Sequence, residues 1–376
     1  MTMMWTRRIK NSILFFLVMG LALGCQASVK KTNERGLFVS LIQDPPVLTS
    51  REDIQKLIQF AHTEKIRVLF VQVYRAGQAW FLSAHADSAP YEKALQMVGE
   101  DPLALLIREA HTQGIEVHTW LNMLSLSENI EAPILKKYGT DILTQKPGPD
   151  KKTIEDYKID NQYFLEPGDL RVREEFAQMI EEIAKNYPDL DGIQLDYIRY
   201  PDAHPFYGYT PNNIARFKAA KGEVPVEESN IDWKNWRREQ VTELVALLRQ
   251  RALQINPQLK FSTTGCAPYI RALEEAFQDW PKWRAEGLAD FVTVMTYPKT
   301  VSEFEKQLEG LKKNGVDLGR VNIAIGAYKL LDSPDIFSKQ VRICEDSGAR
   351  SCVFFHYGNF IEQPILVKAL EQKEVS

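Results

Sequence analysis

Short apolar runs alternate with longer amphipathic segments along most of this chain. From Arg35 onward the runs are rich in β-branched and aromatic residues, and the segments between them repeat apolar residues at helical spacing. The predicted strands cover residues 36–42, 66–74, 115–122, 190–198, 259–265, 290–297, 320–328 and 351–357. This alternation predicts an α/β fold with a parallel sheet, and eight strands are the number that closes a (β/α)8 TIM barrel.

Two connections are longer than simple turns, and both follow the carboxyl end of a predicted strand. They cover residues 123–168 and 199–232. Loops at that end of a TIM barrel form the active-site face, so we expect these two segments to bind a substrate. An open doubly wound sheet is the alternative architecture. The Gly-rich phosphate loop that would favour it is absent after the first strand.

The segment 191–201 (DGIQLDYIRYP) combines a buried strand with a polar and aromatic end. Side chains alternate along a strand, so Gln194 and Asp196 share one face, and Asp196 is predicted to point into the barrel axis at its mouth. Asp191 lies at the opposite end of the strand, roughly 17 Å away, where a structural role is expected. The alternative role for Asp196 is an ion pair with Arg199 or a cap for the following loop.

Polar and aromatic side chains on other strands share this inward parity or close the strands. They are Gln72 and Tyr74 on the second strand, His118, Trp120 and Asn122 on the third, and Tyr297, Tyr328 and Tyr357 at the ends of three later strands. Aromatic rings offer flat faces for stacking on sugar rings. Glycosidic cleavage also needs one carboxyl group to protonate the leaving oxygen and a second to act as nucleophile or base. The pattern therefore predicts a carbohydrate site around Asp196.

Four segments strengthen this interpretation by their order along the chain. They are 117–122 (VHTWLN), 165–168 (LEPG), 191–197 (DGIQLDY) and 326–329 (GAYK). Together they resemble the motifs of glycosyl-hydrolase-like family ten, and the likeness covers nearly all of the chain from Arg35 to Leu370. The resemblance implies a TIM barrel with a carbohydrate-active face. It also implies a protein of a kind often exported by bacteria and, for some relatives, action on cell-wall glycan.

The resemblance also implies roles for individual residues. Asp196 corresponds to the acidic residue that ends strand four, where many barrel glycosidases place a nucleophile. Glu166 and Asp44 are the candidates for its catalytic partner, although Glu166 equally fits a turn that delivers an N-cap to a helix over 170–186. The residues expected to bind sugar are Gln72, Tyr74, His118, Trp120, Asn122, Gln194, Arg199, Tyr297, Tyr328 and Tyr357.

The chain departs from the family pattern at several positions. Gln194 and Tyr197 stand where the family commonly has His and a second Asp, and Glu166 is longer than the usual Asp or Asn. The fifth strand, at 261–265, carries no carboxylate. The general acid that amylase-like barrels place there is therefore missing.

The first residues predict export and a lipid anchor. Three basic residues precede an apolar run over 13–23 that is short for a membrane span, as in a signal peptide. The following LALGC resembles a lipobox, so we expect residues 1–24 to be removed and Cys25 to be lipidated. A plain signal peptide with a buried cysteine is the alternative. Gln26 after the cysteine resembles the pattern of lipoproteins sent to an outer membrane, if the host has one.

The predicted domain plan is therefore a signal peptide, a tether over 25–35 and one barrel over 36–376. Loss of residues 1–24 would remove three basic residues and no acid, and would lower the formal net charge from −4 to −7. An acidic surface without a basic, aromatic cluster argues against nucleic-acid binding. The six histidines are scattered singly, and no Gly-x-Ser-x-Gly elbow occurs. We therefore expect no metal, no cofactor and no esterase of the α/β-hydrolase type.

Three cysteines remain after Cys25, and they do not form a complete disulfide framework. Cys344 and Cys352 are able to pair in an oxidising envelope, while three buried thiols, with Cys266 as the third, are equally compatible with the sequence.

The leading hypothesis is a membrane-anchored glycoside hydrolase of the cell envelope that cleaves a polysaccharide, with cell-wall glycan as one substrate. The alternative is a barrel lipoprotein that binds carbohydrate without cleaving it. The missing carboxylate on strand five motivates this alternative.

Overall fold

A computed structural model describes residues 34–149, 151–202 and 204–371 of the chain. The predicted signal peptide, the lipidation site Cys25 and nearly all of the predicted tether lie outside the described residues. Eight parallel strands follow one another around a barrel, and the second strand pairs with the first to close it. The predicted TIM barrel is confirmed, and the open doubly wound sheet is excluded.

All eight predicted strands are present, with ends that differ from the prediction by a few residues. They are β1 Arg35–Val39, β2 Ile66–Arg75, β3 Glu116–Asn122, β4 Gly192–Asp196, β5 Lys260–Cys266, β6 Phe291–Thr296, β7 Val321–Gly326 and β8 Ser351–Phe355. The helices around them are α1 Arg51–Thr63, α2 Ala89–Val98, α3 Pro102–Thr112, α4 Pro133–Tyr138, α5 Leu170–Asn186, α6 Pro211–Lys221, α7 Ile231–Ile255, α8 Tyr269–Glu274, α9 Trp280–Ala285, α10 Val301–Lys313, α11 Pro334–Asp346, α12 Tyr357–Glu362 and α13 Ile365–Glu371.

Alternation along the strands divides the core into two layers. One large apolar cluster fills the space between the strands and the helices, while a smaller one fills the barrel itself. The smaller cluster consists of Phe38, Phe70, Trp120, Phe291, Ala324 and Val353. Bulky rings inside the barrel make it a packed core, so a ligand has access only at its ends.

The two long connections carry structure of their own and are bonded to each other. The first contains α4 and a short antiparallel pair, Ser125–Ser127 with Tyr163–Phe164, and the second contains α6. The amide of Tyr209 donates to the carbonyl of Gln145 over 3.0 Å. The two connections, which both follow the carboxyl ends of strands, are therefore joined to each other.

A disulfide joins Cys344 in α11 to Cys352 in β8, and Cys266 is a buried free thiol. Of the two arrangements that the sequence leaves open, the structure has the paired one. Within the described residues, no helix is long and apolar enough to cross a bilayer.

A substitution at Gly192, the first residue of β4, tests the packing at the amino-terminal end of the barrel strands. A Cβ atom at Gly192 would overlap the His118 ring and would lie 2.6 Å from the carbonyl oxygen of Lys260. We expect Gly192→Ala to lower the free energy of unfolding by ~1–3 kcal/mol in urea titrations, because the buried His118 ring has no room to move. The matched control is Gly310→Ala in α10, where a Cβ meets no atom within 4 Å. The control is expected to be neutral or stabilising by up to ~1 kcal/mol. Equal stability of Gly192→Ala and the wild type would contradict this account.

Candidate active site

Asp196 ends β4 at the mouth of the barrel and is 5% exposed. Its Oδ1 accepts hydrogen bonds from the Thr264 hydroxyl over 2.6 Å and from the Tyr197 amide over 2.7 Å. Its Oδ2 accepts one from the Trp120 indole N–H over 3.0 Å. The Arg199 Nη1 lies 3.7 Å from Oδ1. The carboxylate is thus held in one orientation by both flanking strands and by the chain that follows it.

The backbone turns sharply just after Asp196. Tyr197 has a φ of 50°, in the left-handed region that bulky residues rarely adopt. The Arg199 guanidinium lies over the Tyr197 ring, 4.4 Å from its centre. Burial opposes the charge on Arg199, but the nearby Cys266, Asp202 and Asp196 raise its pKa. Strained backbone beside an inward carboxylate is typical of functional sites.

Three buried polar atoms near Asp196 have no hydrogen-bond partner among the described residues. They are Asn122 Oδ1, Arg199 Nη1 and the Tyr297 hydroxyl. Asn122 pairs with Asp196 in the sheet, and the pKa of Tyr297 is raised well above its usual range by burial and by the charge of Asp196. An unsatisfied buried polar group costs about 1–3 kcal/mol. The protein therefore leaves hydrogen-bonding capacity unused beside Asp196.

An aromatic wall, which consists of Tyr297, Tyr328 and Phe355, stands at the ends of β6, β7 and β8. The ring centres of these three residues lie 5.6 to 5.8 Å apart in each pair. Phe355 continues the wall downward to Trp120, at 5.8 Å. Tyr328 is 41% exposed. The wall therefore offers an accessible ring face for a sugar beside the carboxylate.

Two predicted sugar-binding residues lie inside the barrel but bond to the protein. Gln72 Oε1 accepts from the Ser40 hydroxyl and from the Leu41 amide, and so holds the loop after β1. Gln194 Oε1 accepts from the Thr293 hydroxyl over 2.9 Å, one layer below Asp196. Both residues support the site from beneath.

Three other predicted contacts lie away from the mouth. His118 points inward at the level of Gly192, between the Phe70 and Phe291 rings, and burial lowers the pKa of its imidazole. Tyr74 and Tyr357 both pack outside the barrel, against Phe176 of α5 and Phe60 of α1 respectively.

The physical reasons for these three placements differ. Strand parity predicts which face of the sheet a side chain lies on, but not its depth in the barrel. His118 therefore faces inward but lies two layers below Asp196. The register of β2 against β3 shifts between Gln72 and Tyr74, and this irregularity turns Tyr74 toward the helices. Strand β8 ends at Phe355, so Tyr357 already belongs to α12.

The two predicted catalytic partners occupy very different environments. Glu166 is completely buried, and burial raises the pKa of its carboxyl group. Its oxygens accept from the Tyr200 hydroxyl, the Thr144 hydroxyl and the Gly168 amide. Asp44 is exposed on the loop that follows β1. Asp44 is thus accessible to solvent, whereas Glu166 has no exposed surface.

Sequence reasoning missed three residues at the mouth. Thr264 and Phe355 follow the inward parity of β5 and β8, so the alternation used for Asp196 would have found them. His356 follows Phe355 directly. Its Nδ1 accepts from the Gly358 amide, and burial lowers the pKa of the ring to about 4. The imidazole is therefore neutral near pH 7, with Nε2–H left as a donor.

The described residues contain no candidate metal-binding site. No group of three or more His, Cys, Asp or Glu side chains there is arranged to hold a metal ion.

The closed barrel and its mouth define a TIM barrel of the carbohydrate-active type. The family model of Glycosyl hydrolase-like 10 matches residues 35–335, and the chain belongs to that family. The predicted family is therefore confirmed.

Two curated relatives are named glycosyl hydrolases. The chain is 27% identical over 235 residues to glycosyl hydrolase YngK of Bacillus subtilis, a match that covers 59% of this chain and 41% of that protein. It is 24% identical over 303 residues to glycosyl hydrolase DigH of Escherichia coli, which covers 70% and 65%. The chain thus matches less than two thirds of the length of either relative.

A solved structure gives the same architecture. The catalytic domain of β-amylase from Paenibacillus polymyxa superimposes with a TM-score of 0.55 at 11% identity, over 89% of this chain and 98% of that one. At this identity the likeness establishes the fold alone.

Proposed function

We propose that the protein is a glycoside hydrolase that cleaves a glycosidic bond in a polysaccharide, with Asp196 as the nucleophile or principal catalytic acid. The observation that carries the proposal is the fixed Asp196 carboxylate beside three buried polar atoms that make no hydrogen bond within the described residues. The relatives named glycosyl hydrolases support the same activity.

The mouth offers the contacts that a sugar needs. A pyranose ring stacks on Tyr328 and Phe355, while Asn122 and Arg199 bond to its hydroxyl groups. The bound sugar then lies with its anomeric centre above Asp196. The second carboxyl group is assigned to Asp44, because it is the solvent-accessible member of the predicted pair. A separation of ~5 Å between the two carboxyl groups in the bound state indicates retention, and ~6.5–9.5 Å indicates inversion.

Cell-wall glycan is the substrate that we propose, since the export predicted from the first residues would bring the protein to this polymer. The competing proposal is a barrel that binds glycan without cleaving it. One observation favours the competitor, namely that β5 carries no carboxylate where amylase-like barrels place an acid. The complete burial of Glu166 points the same way.

The central prediction concerns Asp196→Asn. We expect this variant to lower turnover of the cleaved glycan by at least ~10³-fold, because it removes the reacting carboxylate, while glycan affinity stays within about threefold. Turnover is measured on a glycan panel that includes peptidoglycan strands stripped of peptides. The matched control is Asp191→Asn at the opposite end of the same strand, which should keep wild-type turnover.

Two results would count against parts of this proposal. Equal product from Asp196→Asn and the wild type would remove Asp196 from the chemistry. Retained binding with no product across the whole panel would favour the non-catalytic barrel.

The proposed anchor rests on the lipobox-like segment that ends at Cys25. We expect the full chain, expressed in a bacterium, to incorporate labelled palmitate and to sediment with membranes. Cys25→Ser should lose the label, because the thiol is the attachment site, whereas Cys266→Ser should keep it. Labelling of Cys25→Ser at the wild-type level would exclude this anchor.

A further inference from the structure

Glu166 is a fully buried carboxylate whose oxygens are already occupied. Oε1 accepts from the Tyr200 hydroxyl over 2.5 Å and from the Gly168 amide over 3.1 Å. Oε2 accepts from the Thr144 hydroxyl over 2.9 Å. A general acid must come within about 3 Å of the leaving oxygen. With no exposed surface, Glu166 does not meet that requirement.

Tyr200 ties Glu166 to the catalytic strand. It lies four residues after Asp196 and is 1% exposed. Its amide donates to the carbonyl of Ala276 over 3.0 Å, and its ring packs edge-on against Phe277 at 5.6 Å. The hydroxyl bond to Glu166 fixes the other end of the side chain. Tyr200 is therefore clamped between the loop after β5 and the loop that precedes α5.

Thr144 ties Glu166 to a second point on the same loop. Its hydroxyl donates to Glu166 and accepts from the Gly208 amide over 3.0 Å. The loop after β4 is thus fastened to one carboxylate near both of its ends, at Tyr200 and at Gly208.

Only three residues separate the fixed Tyr200 from Asp196. Among them, Tyr197 donates its amide to Asp196 Oδ1 in a left-handed conformation, and Arg199 stacks on the Tyr197 ring. Because this segment is so short, the position of Tyr200 sets where Tyr197 and Arg199 stand against the carboxylate.

We propose that Glu166 is a positioning residue, which acts through Tyr200 and Thr144 to hold the chain after β4 and, with it, the orientation of Asp196 and Arg199. Glu166 is then not the second catalytic carboxyl group. The activity readouts of this proposal rest on the proposed hydrolase function. All three groups that contact the Glu166 carboxyl group donate to it, which fits a residue that serves as a hydrogen-bond acceptor.

The test compares Glu166→Gln, Glu166→Ala and Tyr200→Phe in the full chain. In Glu166→Gln the amide oxygen still accepts from the Tyr200 hydroxyl and the Gly168 amide. The amide nitrogen faces Thr144 and donates to it, and the Thr144 hydroxyl rotates to accept this hydrogen bond. We expect kcat of Glu166→Gln within about threefold of the wild type. Glu166→Ala and Tyr200→Phe should lose about 10- to 100-fold in kcat with little change in KM, because the carboxylate is misplaced.

The kcat of the double variant Glu166→Ala/Tyr200→Phe should equal that of Glu166→Ala, since Glu166→Ala already removes the hydrogen bond that Tyr200→Phe breaks. A catalytic Glu166 predicts the opposite pattern, in which Gln is as inactive as Ala and Tyr200→Phe keeps its activity. The proposal would be overturned if Glu166→Gln were as inactive as Glu166→Ala, or if Tyr200→Phe kept wild-type activity.

Hydrogen exchange gives a readout that needs no substrate. The Tyr197 amide should exchange about five- to tenfold faster in Tyr200→Phe than in the wild type or in Glu166→Gln, at matched global stability. Unchanged exchange would contradict the positioning role. A wild-type protein without glycan turnover, but with this exchange pattern, would refute the hydrolase function alone.

Discussion

The hydrogen bonds from Trp120 and Thr264 to Asp196 join three neighbouring strands at the mouth of the barrel. One donor comes from β3 and the other from β5, so the carboxylate on β4 is held from both sides. Closure of the barrel is what makes this possible, because parallel strands bring their carboxyl ends to one face. The orientation of Asp196, and the positions of the groups that would meet a sugar, depend on this arrangement.

The mouth of the barrel combines unused hydrogen-bonding groups with an aromatic wall. Asn122 and Arg199 each present a buried polar atom without a hydrogen-bond partner among the described residues, and the Tyr297 hydroxyl is a third. Each such group destabilises the fold by about 1–3 kcal/mol. Around them the aromatic wall supplies apolar surface, with Tyr328 open to solvent. Hydroxyl groups above a flat ring are the chemistry that satisfies both features.

The strand pattern was sufficient to predict the barrel, and its parity predicted the inward placement of Asp196, while the family was identified from the resemblance of four motifs. They did not give depth, which is why His118 lies below the site, nor the register shift that turns Tyr74 outward. Glu166 shows another limit. Its motif is equally consistent with a catalytic acid and with a turn that delivers an N-cap to a helix, and the role proposed for it depends on contacts with Tyr200 and Thr144. These contacts join segments that are distant in sequence.

The most direct test is a crystal structure of Asp196→Asn with a bound oligosaccharide from the glycan panel. The account predicts a sugar stacked on Tyr328 and Phe355, bonded to Asn122 and Arg199, with a glycosidic oxygen or anomeric carbon within about 3.5 Å of the side chain at position 196. An oligosaccharide bound elsewhere, or one that crosses the mouth without approaching position 196, would contradict it.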